Sequence, residues 1–575
     1  MTNRNLAGRI IVFFIVLISA FAYPFLTHRL PLPPLAPVPT APEPHPTAKS
    51  EPLLRLLLLP LDSRPPCSDY VLRDSRLASV EILLPPKELM DYYTSPGNFR
   101  EMRQSLLSLA RERQPDGIIL SIDQLMAGGL LASRDKLITD GERQEALRFL
   151  RRLHEENPHI PIYAFSILPR LLPPPEITRY EERLAITKYA RLEEKAERGE
   201  ASDGELARLK KLLDFSDPDN YIQPRNLKRY QAIHPTHEKT ALALAGLVRE
   251  GVLAELFIGQ DDGEKYGPGN RERRHLLASF GPDHRLHLIR GADELALSIV
   301  TRLAVERSGL RPAIKTVYSD EGEGDHYFPY MAASLADTAA EEINLIGLAE
   351  AEKNSPFRRG RSPAITLFIH AGDNTPSALA ARYKAVSRLT GIISRQDTNI
   401  ALIDLSRNFT AEETLLPLLG RKGFPLHQLA SYSGWNTASN SIGTALCEAV
   451  LLYIGNHLPS ASREEKRQAV ELSKEILNAH FAEDNIYLKD SLDRINGEFY
   501  RRGFFNTGDL DLNRDYRWLA ILNDYALKER SRRLMETAAW RKPYSFEGKV
   551  IYPVPRQFQQ YFPWPRTFEV YTKVN

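Results

Sequence analysis

Glu255-Leu-Phe-Ile-Gly-Gln-Asp-Asp-Gly-Glu264 decides the fold. A short apolar run delivers two adjacent acids, Asp261 and Asp262, into a loop broken by Gly263, Gly267 and Gly269. The same arrangement recurs in Ile118-Ile-Leu-Ser-Ile-Asp123, Leu288-Ile-Arg-Gly-Ala-Asp-Glu294, Val317-Tyr-Ser-Asp-Glu321, Leu367-Phe-Ile-His-Ala-Gly-Asp-Asn374 and Ile400-Ala-Leu-Ile-Asp404. Continuous apolar runs of this length read as strands buried on both faces, the mark of parallel sheet. Ligands of α/β proteins sit outside the carboxyl ends of such strands, so these acids are expected along one edge.

Working outward, strand candidates fall at 54–60, 80–85, 116–123, 160–168, 255–261, 286–291, 314–319, 343–348, 365–371, 400–405 and 429–433, with helix-period segments between most of them. The pattern predicts an α/β fold of repeated parallel β/α units in two domains. The first, 53–295, is barrel-like or doubly wound. The second, 296–458, is flavodoxin-like and doubly wound. Residues 176–215, charged and helical on both sides of Gly199, are expected as a helical hairpin inserted over the site edge, with i,i+4 opposite charges supporting it. Residues 459–575 form a helical region followed by an aromatic, proline-rich tail.

Arg4 and Arg9 precede an uncharged run from Ile10 to Leu26, IIVFFIVLISAFAYPFL. At ~1.5 Å per residue it spans about 25 Å, short for a ~30 Å hydrocarbon core. Ala20-Phe-Ala22 also has the form of a signal-peptidase site. Residues 1–30 are therefore expected to be a membrane anchor with a cytoplasmic amino end, or a segment cleaved after Ala22. Nine prolines in the twenty-two residues of 31–52 make a semi-rigid linker. Either way the body is expected outside the cytoplasm, at the cell membrane or secreted.

Composition narrows function by exclusion. Lys plus Arg (75) nearly equals Asp plus Glu (73), so no global field favours nucleic acid, and no nucleic-acid partner is expected. With only Cys67 and Cys447, a disulfide scaffold or Cys-rich zinc site is excluded. No Walker loop, dinucleotide glycine fingerprint, HExxH or Gly-x-Ser-x-Gly elbow is present.

Asp261-Asp262 can supply the two carboxyls that glycoside cleavage needs. The pair is similar to the adjacent aspartates of substrate-assisted N-acetylglucosaminidases. Asp62-Ser-Arg64 places an acid and a planar guanidinium fork at the same edge. Asp123, Asp293, Glu294, Asp373 and Asn374 follow other strands. Trp435 offers a flat floor for a pyranose ring, and Asn436 and Asn440 offer hydroxyl partners at a helix start. Ser319-Asp-Glu-Gly-Glu-Gly-Asp-His326 is a third acidic loop, on which a metal-assisted hydrolase would depend.

LLPLDSRPPCSDYV near the start, RGADE at 290–294, IHAGDNTPS at 369–377, YSGWNTASNSIGTAL at 432–446 and PWPRTFEV at 563–570 resemble the bacterial domain-of-unknown-function family DUF4127. The resemblance runs from about Leu53 to Val570. It implies one architectural unit with Asp62, Arg64, Asp293, Glu294, Asp373, Asn374, Trp435, Asn436 and Asn440 as motif positions. It implies no activity.

The expectation is an exported, membrane-tethered hydrolase of carbohydrate, an amino-sugar glycan of the cell envelope being the substrate class, with Asp261 and Asp262 catalytic. Asp62, Arg64, Asp123, Asp293, Glu294, Asp373, Asn374, Trp435, Asn436 and Asn440 would bind substrate. No cofactor and no metal ligand are assigned. The alternatives are a non-enzymatic envelope glycan-binding protein or the metal-assisted hydrolase.

Overall fold

The computed structural model describes residues 51–174, 177–351, 364–373, 375–394, 399–503, 506–511 and 516–574. The expected anchor, the proline linker up to residue 50, and Asn374 lie outside them. Among the described residues, no helix is long and apolar enough to cross a membrane.

Six strands form the first sheet: β1 (Leu54–Leu59), β2 (Val80–Leu83), β3 (Gly117–Ser121), β4 (Ile162–Leu168), β5 (Glu255–Gln260) and β6 (Leu286–Arg290). All pairs are parallel, in the order β2-β1-β3-β4-β5-β6. The order reverses at β1, so the first half is open and doubly wound rather than a closed barrel. The second sheet holds β7 (Ile314–Tyr318), β8 (Ile365–Gly372), β9 (Asn399–Ser406) and β10 (Ser431–Ser433), also all parallel. It runs consecutively, β7-β8-β9-β10, so its connections wind one way. The flavodoxin-like reversal expected there belongs to the first sheet.

The 343–348 run is no strand. Ile343 and Leu345 end a helix, Leu335–Leu345, whose first turn is capped by Ser334 accepting from the Asp337 amide. A short apolar run is ambiguous in period, and here the cap decides for helix.

Three helices, Leu295–Ser308, Leu335–Leu345 and Ala438–His457, lie between the two sheets. One continuous apolar core joins Leu56, Leu58 and Phe257 of the first sheet to Leu367 and Ile403 of the second through Ile299, Ala445 and Val450. The Leu295–Ser308 helix buries residues almost all round its circumference, as a helix packed on both sides must. Separate cores cover the outer faces of the two sheets. Cys67 and Cys447 are both buried and unpaired with each other.

Over the 176–215 stretch the chain forms two helices, Tyr180–Glu197 and Asp203–Leu212, reversing at Gly199 with φ +70°. Beyond Ser462 the chain is mainly helical to Arg541 and includes a π-helical stretch, Phe481–Ser491, with Ala482–Lys489 buried throughout. The tail forms two hairpins, Tyr544–Phe546 with Lys549–Ile551 and Phe558–Tyr561 with Tyr571–Val574. It packs back so that Trp564 Nε1 donates to Ser63 Oγ at 3.0 Å.

Candidate functional site

A cleft of about 580 Å³ opens at the carboxyl ends of the first sheet. β5 supplies Asp261 and Asp262, β6 leads to Asp293, and residues beyond β1, β3 and β4 supply Arg64, Arg134 and Arg170. The start of the Ala438–His457 helix closes one side with Asn436, Thr437, Ser439 and Asn440. The Tyr180–Glu197 helix of the hairpin adds Tyr180, Leu184, Thr187 and Arg191, and the tail adds Arg566 and Phe568. Close backbone approach makes this geometry. A side chain at Gly259 would meet the Gly291 carbonyl oxygen at 2.5 Å, so glycine lets β5 and β6 end side by side.

Most charges in the cleft are matched. Arg64 is buried and grips Asp62 (2.7 Å) and Asp293 (2.5 Å), with Glu569 of the tail at 3.4 Å. Its guanidinium also lies over Trp564, 5.2 Å from the ring centroid. Arg191 pairs with Glu264, Arg290 with Glu341, and Arg566 with Glu569. Arg134 pairs with Asp261 at 2.5 Å.

Two charged groups are left over. The Asp262 backbone amide donates to Asp261 Oδ1 (2.8 Å) and its carbonyl accepts from Leu171 N (2.9 Å), which fixes the residue at the cleft wall. Its carboxyl makes no hydrogen bond among the described residues. Burial, reinforced by the charge of Asp261, pushes it up to about 7, against the pull of Arg134 and Arg170. Arg170 likewise makes no direct ion pair or hydrogen bond there; burial and then the neighbouring Arg134 lower it to about 10, against the charges of Asp261 and Asp262.

The other expected site residues fall into distinct places. Asp62 is spent on Arg64. Asp123 is buried and does not line the cleft. Its carboxylate accepts from Ser133 Oγ (2.6 Å) and Ile167 N (2.9 Å), tying β3 to β4. Glu294 turns away from Asp293 and is buried beside Glu342; burial first, then the Asp293 charge, raises it to about 8. Asp373 caps its own turn, accepting from Thr375 N (3.0 Å) and Thr375 Oγ1 (2.7 Å). Trp435 is not a sugar floor. It is 6% exposed and packs among Tyr487, Leu492, Phe562 and Val570.

Asn436 and Asn440 do line the cleft. Asn436 adopts φ +41°, turning the chain sharply into the helix, and Ser441 Oγ donates back to the Trp435 carbonyl at 2.6 Å. The π-helical stretch fixes this loop from behind. Asp484 accepts from the Gly434 amide (2.9 Å), and Lys489 donates to the Gly434 carbonyl. A side chain at Gly434 would meet the Asp404 carbonyl oxygen at 2.5 Å.

Metal chemistry gains little from this arrangement. In the 319–326 loop, Glu323 accepts from Ser319 Oγ (2.8 Å) and Ala371 N (2.6 Å), while Asp320, Glu321, Asp325 and His326 are not buried. Two other groups converge closely enough for an ion among the described residues: Asp62–Cys67–Asp293 and His480–Glu483–Asp484. The first already holds the Arg64 cation. In the second, His480 bridges Glu448 (2.8 Å) and Asp484 (3.2 Å), and Glu483 accepts from Tyr70 and the Thr572 amide.

Arg134, Arg170, Arg566 and Glu569 are site residues that a search of strand ends for acids passes over. Arg170 stands two residues beyond β4, so the strand-end rule applied to every polar side chain reaches it. Arg566 and Glu569 arrive from the far end of the chain and carry no local signal.

Among known families, the one described as "Protein of unknown function (DUF4127)" matches residues 56–573. The chain belongs to this family. Searches of curated proteins and of solved structures returned no match.

Proposed function

We propose that the protein is a hydrolase of carbohydrate in which Asp262 is the proton donor. The observation that carries this reading is an unpartnered carboxyl at the wall of a cleft, raised to about 7. General acids work best with a pKa near the working pH, and carboxyls reach that range through burial and a neighbouring like charge. In this reading Asp262 protonates the leaving oxygen. Burial, and after it the charge of Asp261, itself held by Arg134, keeps Asp262 protonated. Asn436 and Asn440 present amides to hydroxyls. The Arg-flanked apolar run and proline stretch support placing the body outside the cytoplasm, on a tether, where envelope glycans are the substrate class.

The test is turnover of a panel of chromogenic glycosides with and without chelator. Asp262→Asn should lower turnover by ~10²–10⁴-fold and leave the melting temperature unchanged or slightly higher, because it removes a carboxylate that is costly to ionise. The acid must be protonated to act, so the wild-type rate should fall as pH rises through about 7. An Asn variant with wild-type turnover on an identified substrate refutes the assignment. Activity lost only with chelator favours a metal route instead.

A further inference from the structure

We propose that the cleft seats a phosphoryl group of its substrate between Arg170 and the first turn of the Ala438–His457 helix. This deepens the hydrolase reading by naming the substrate class, a phosphorylated sugar or glycan, and it rests on that reading for turnover but not for binding.

Donors from two elements point to an oxyanion. Arg170 is a cleft-lining guanidinium with no direct ion pair or hydrogen bond among the described residues; it stands beside Arg134, already committed to Asp261, and feels the charges of Asp261 and Asp262. A guanidinium whose donors meet no direct acceptor in a partly dry site offers its fork to a ligand oxyanion. Also lining the cleft at its start, the Ala438–His457 helix receives no side-chain cap. Thr437 Oγ1, the group that would cap it, is instead 3.1 Å from Ser439 Oγ. Twenty residues of aligned peptide dipoles therefore end on open amides facing the cleft. Third, Asn440, on the same helix turn, is 4% exposed and lines the cleft, and its side-chain amide has no hydrogen-bond partner among the described residues. Its amide opens onto the cleft, where a ligand oxygen can accept from it. Donors arriving from a guanidinium, a helix end and a side-chain amide suit a tetrahedral group better than a planar carboxylate, which one guanidinium fork can satisfy alone.

The test is calorimetric titration of the full chain in detergent with inorganic phosphate, methyl phosphate and acetate. Both phosphates should bind and acetate should bind at least about tenfold more weakly. Arg170→Gln should weaken phosphate by about tenfold to a hundredfold, the range for a lost charge-assisted hydrogen bond. Asn440→Asp, which sets a carboxylate in place of the amide, should do the same and keeps the question open to decision if the Arg170 variant does not fold. Arg191→Gln, whose guanidinium already pairs with Glu264, should change binding by less than about threefold. No phosphate binding, equal binding of acetate, or equal loss in the Arg170 and Arg191 variants overturns the proposal. Asp262→Asn separates the two readings. Phosphate binding kept while turnover is lost supports both. Phosphate bound and turnover unchanged refutes the acid and leaves the seat. Turnover lost with no phosphate binding in any form leaves the acid and refutes the seat.

Discussion

Asp62-Ser-Arg64 and Asp261-Asp262 follow β1 and β5 at the same sheet edge, yet they end in opposite electrostatic states. At the first, every charge is answered: Arg64 meets Asp62, Asp293 and Glu569, and the tail seals the group with Trp564. At the second, Arg134 grips Asp261, while Asp262 and Arg170 feel neighbouring opposite charges without a direct ion pair. Strand ends rich in charge are therefore of two kinds. Matched groups hold the loops together; the remainder is what a ligand can use.

The contrast can be broken most severely at Arg64. Arg64→Ala leaves Asp62 and Asp293 buried with no cation between them, and stability should fall by ~3–5 kcal/mol. Denaturant midpoints measure this. A loss below about 1 kcal/mol would show that water, not Arg64, compensates the two acids.

A sharper version lies within one dipeptide. Asp293 faces Arg64, whereas Glu294 is buried against Glu342, and both members of that pair are raised, Glu294 to about 8. Between the ordinary carboxyl range and about 8 the folded protein holds a proton that the unfolded chain has released. Stability should therefore decline as pH climbs from about 5 to 8. Glu448 and Glu483, each raised to about 7 by burial, contribute in the same direction. Glu294→Gln removes one titrating group while keeping its shape, so urea midpoints at pH 5, 7 and 9 should show a shallower decline than wild type. An unchanged slope would mean that Glu294 ionises without cost.

The smallest effect is expected at Asp373, a strand-end acid whose partners lie in its own turn. Asp373→Ala should change stability by about 0.5–1 kcal/mol at most and leave turnover alone. Loss of activity there would move the site toward the second sheet.

These contrasts also mark what the sequence discloses. LRLLLL and GIILS announce buried parallel strands because parallel strands are apolar on both faces. Strand order is silent, since a right-handed crossover of the same length can lead to either side of a sheet. Asp261, Asp262, Arg64, Asp293, Asn436 and Asn440 gather as the strand-end rule requires. Trp435 misleads because what buries it, Tyr487, Leu492, Phe562 and Val570, lies far downstream. Arg170 was reachable by the same rule, but its value as an unmatched cation depends on the partners its neighbours take, which spacing does not reveal.

The helix layer between the sheets has a consequence for how the protein is made. Every strand of the first sheet has been synthesised by Arg290, and the Leu295–Ser308 helix follows at once to lie on it. That helix is apolar on its far side too, and its cover, Ala438–His457, emerges only after the whole second sheet. A ribosome that has passed residue 308 thus holds a nascent chain with a greasy flank and nothing yet to lay against it. Such half-built chains aggregate or recruit chaperones. The order of synthesis, as much as composition, decides when this protein first becomes safe to release.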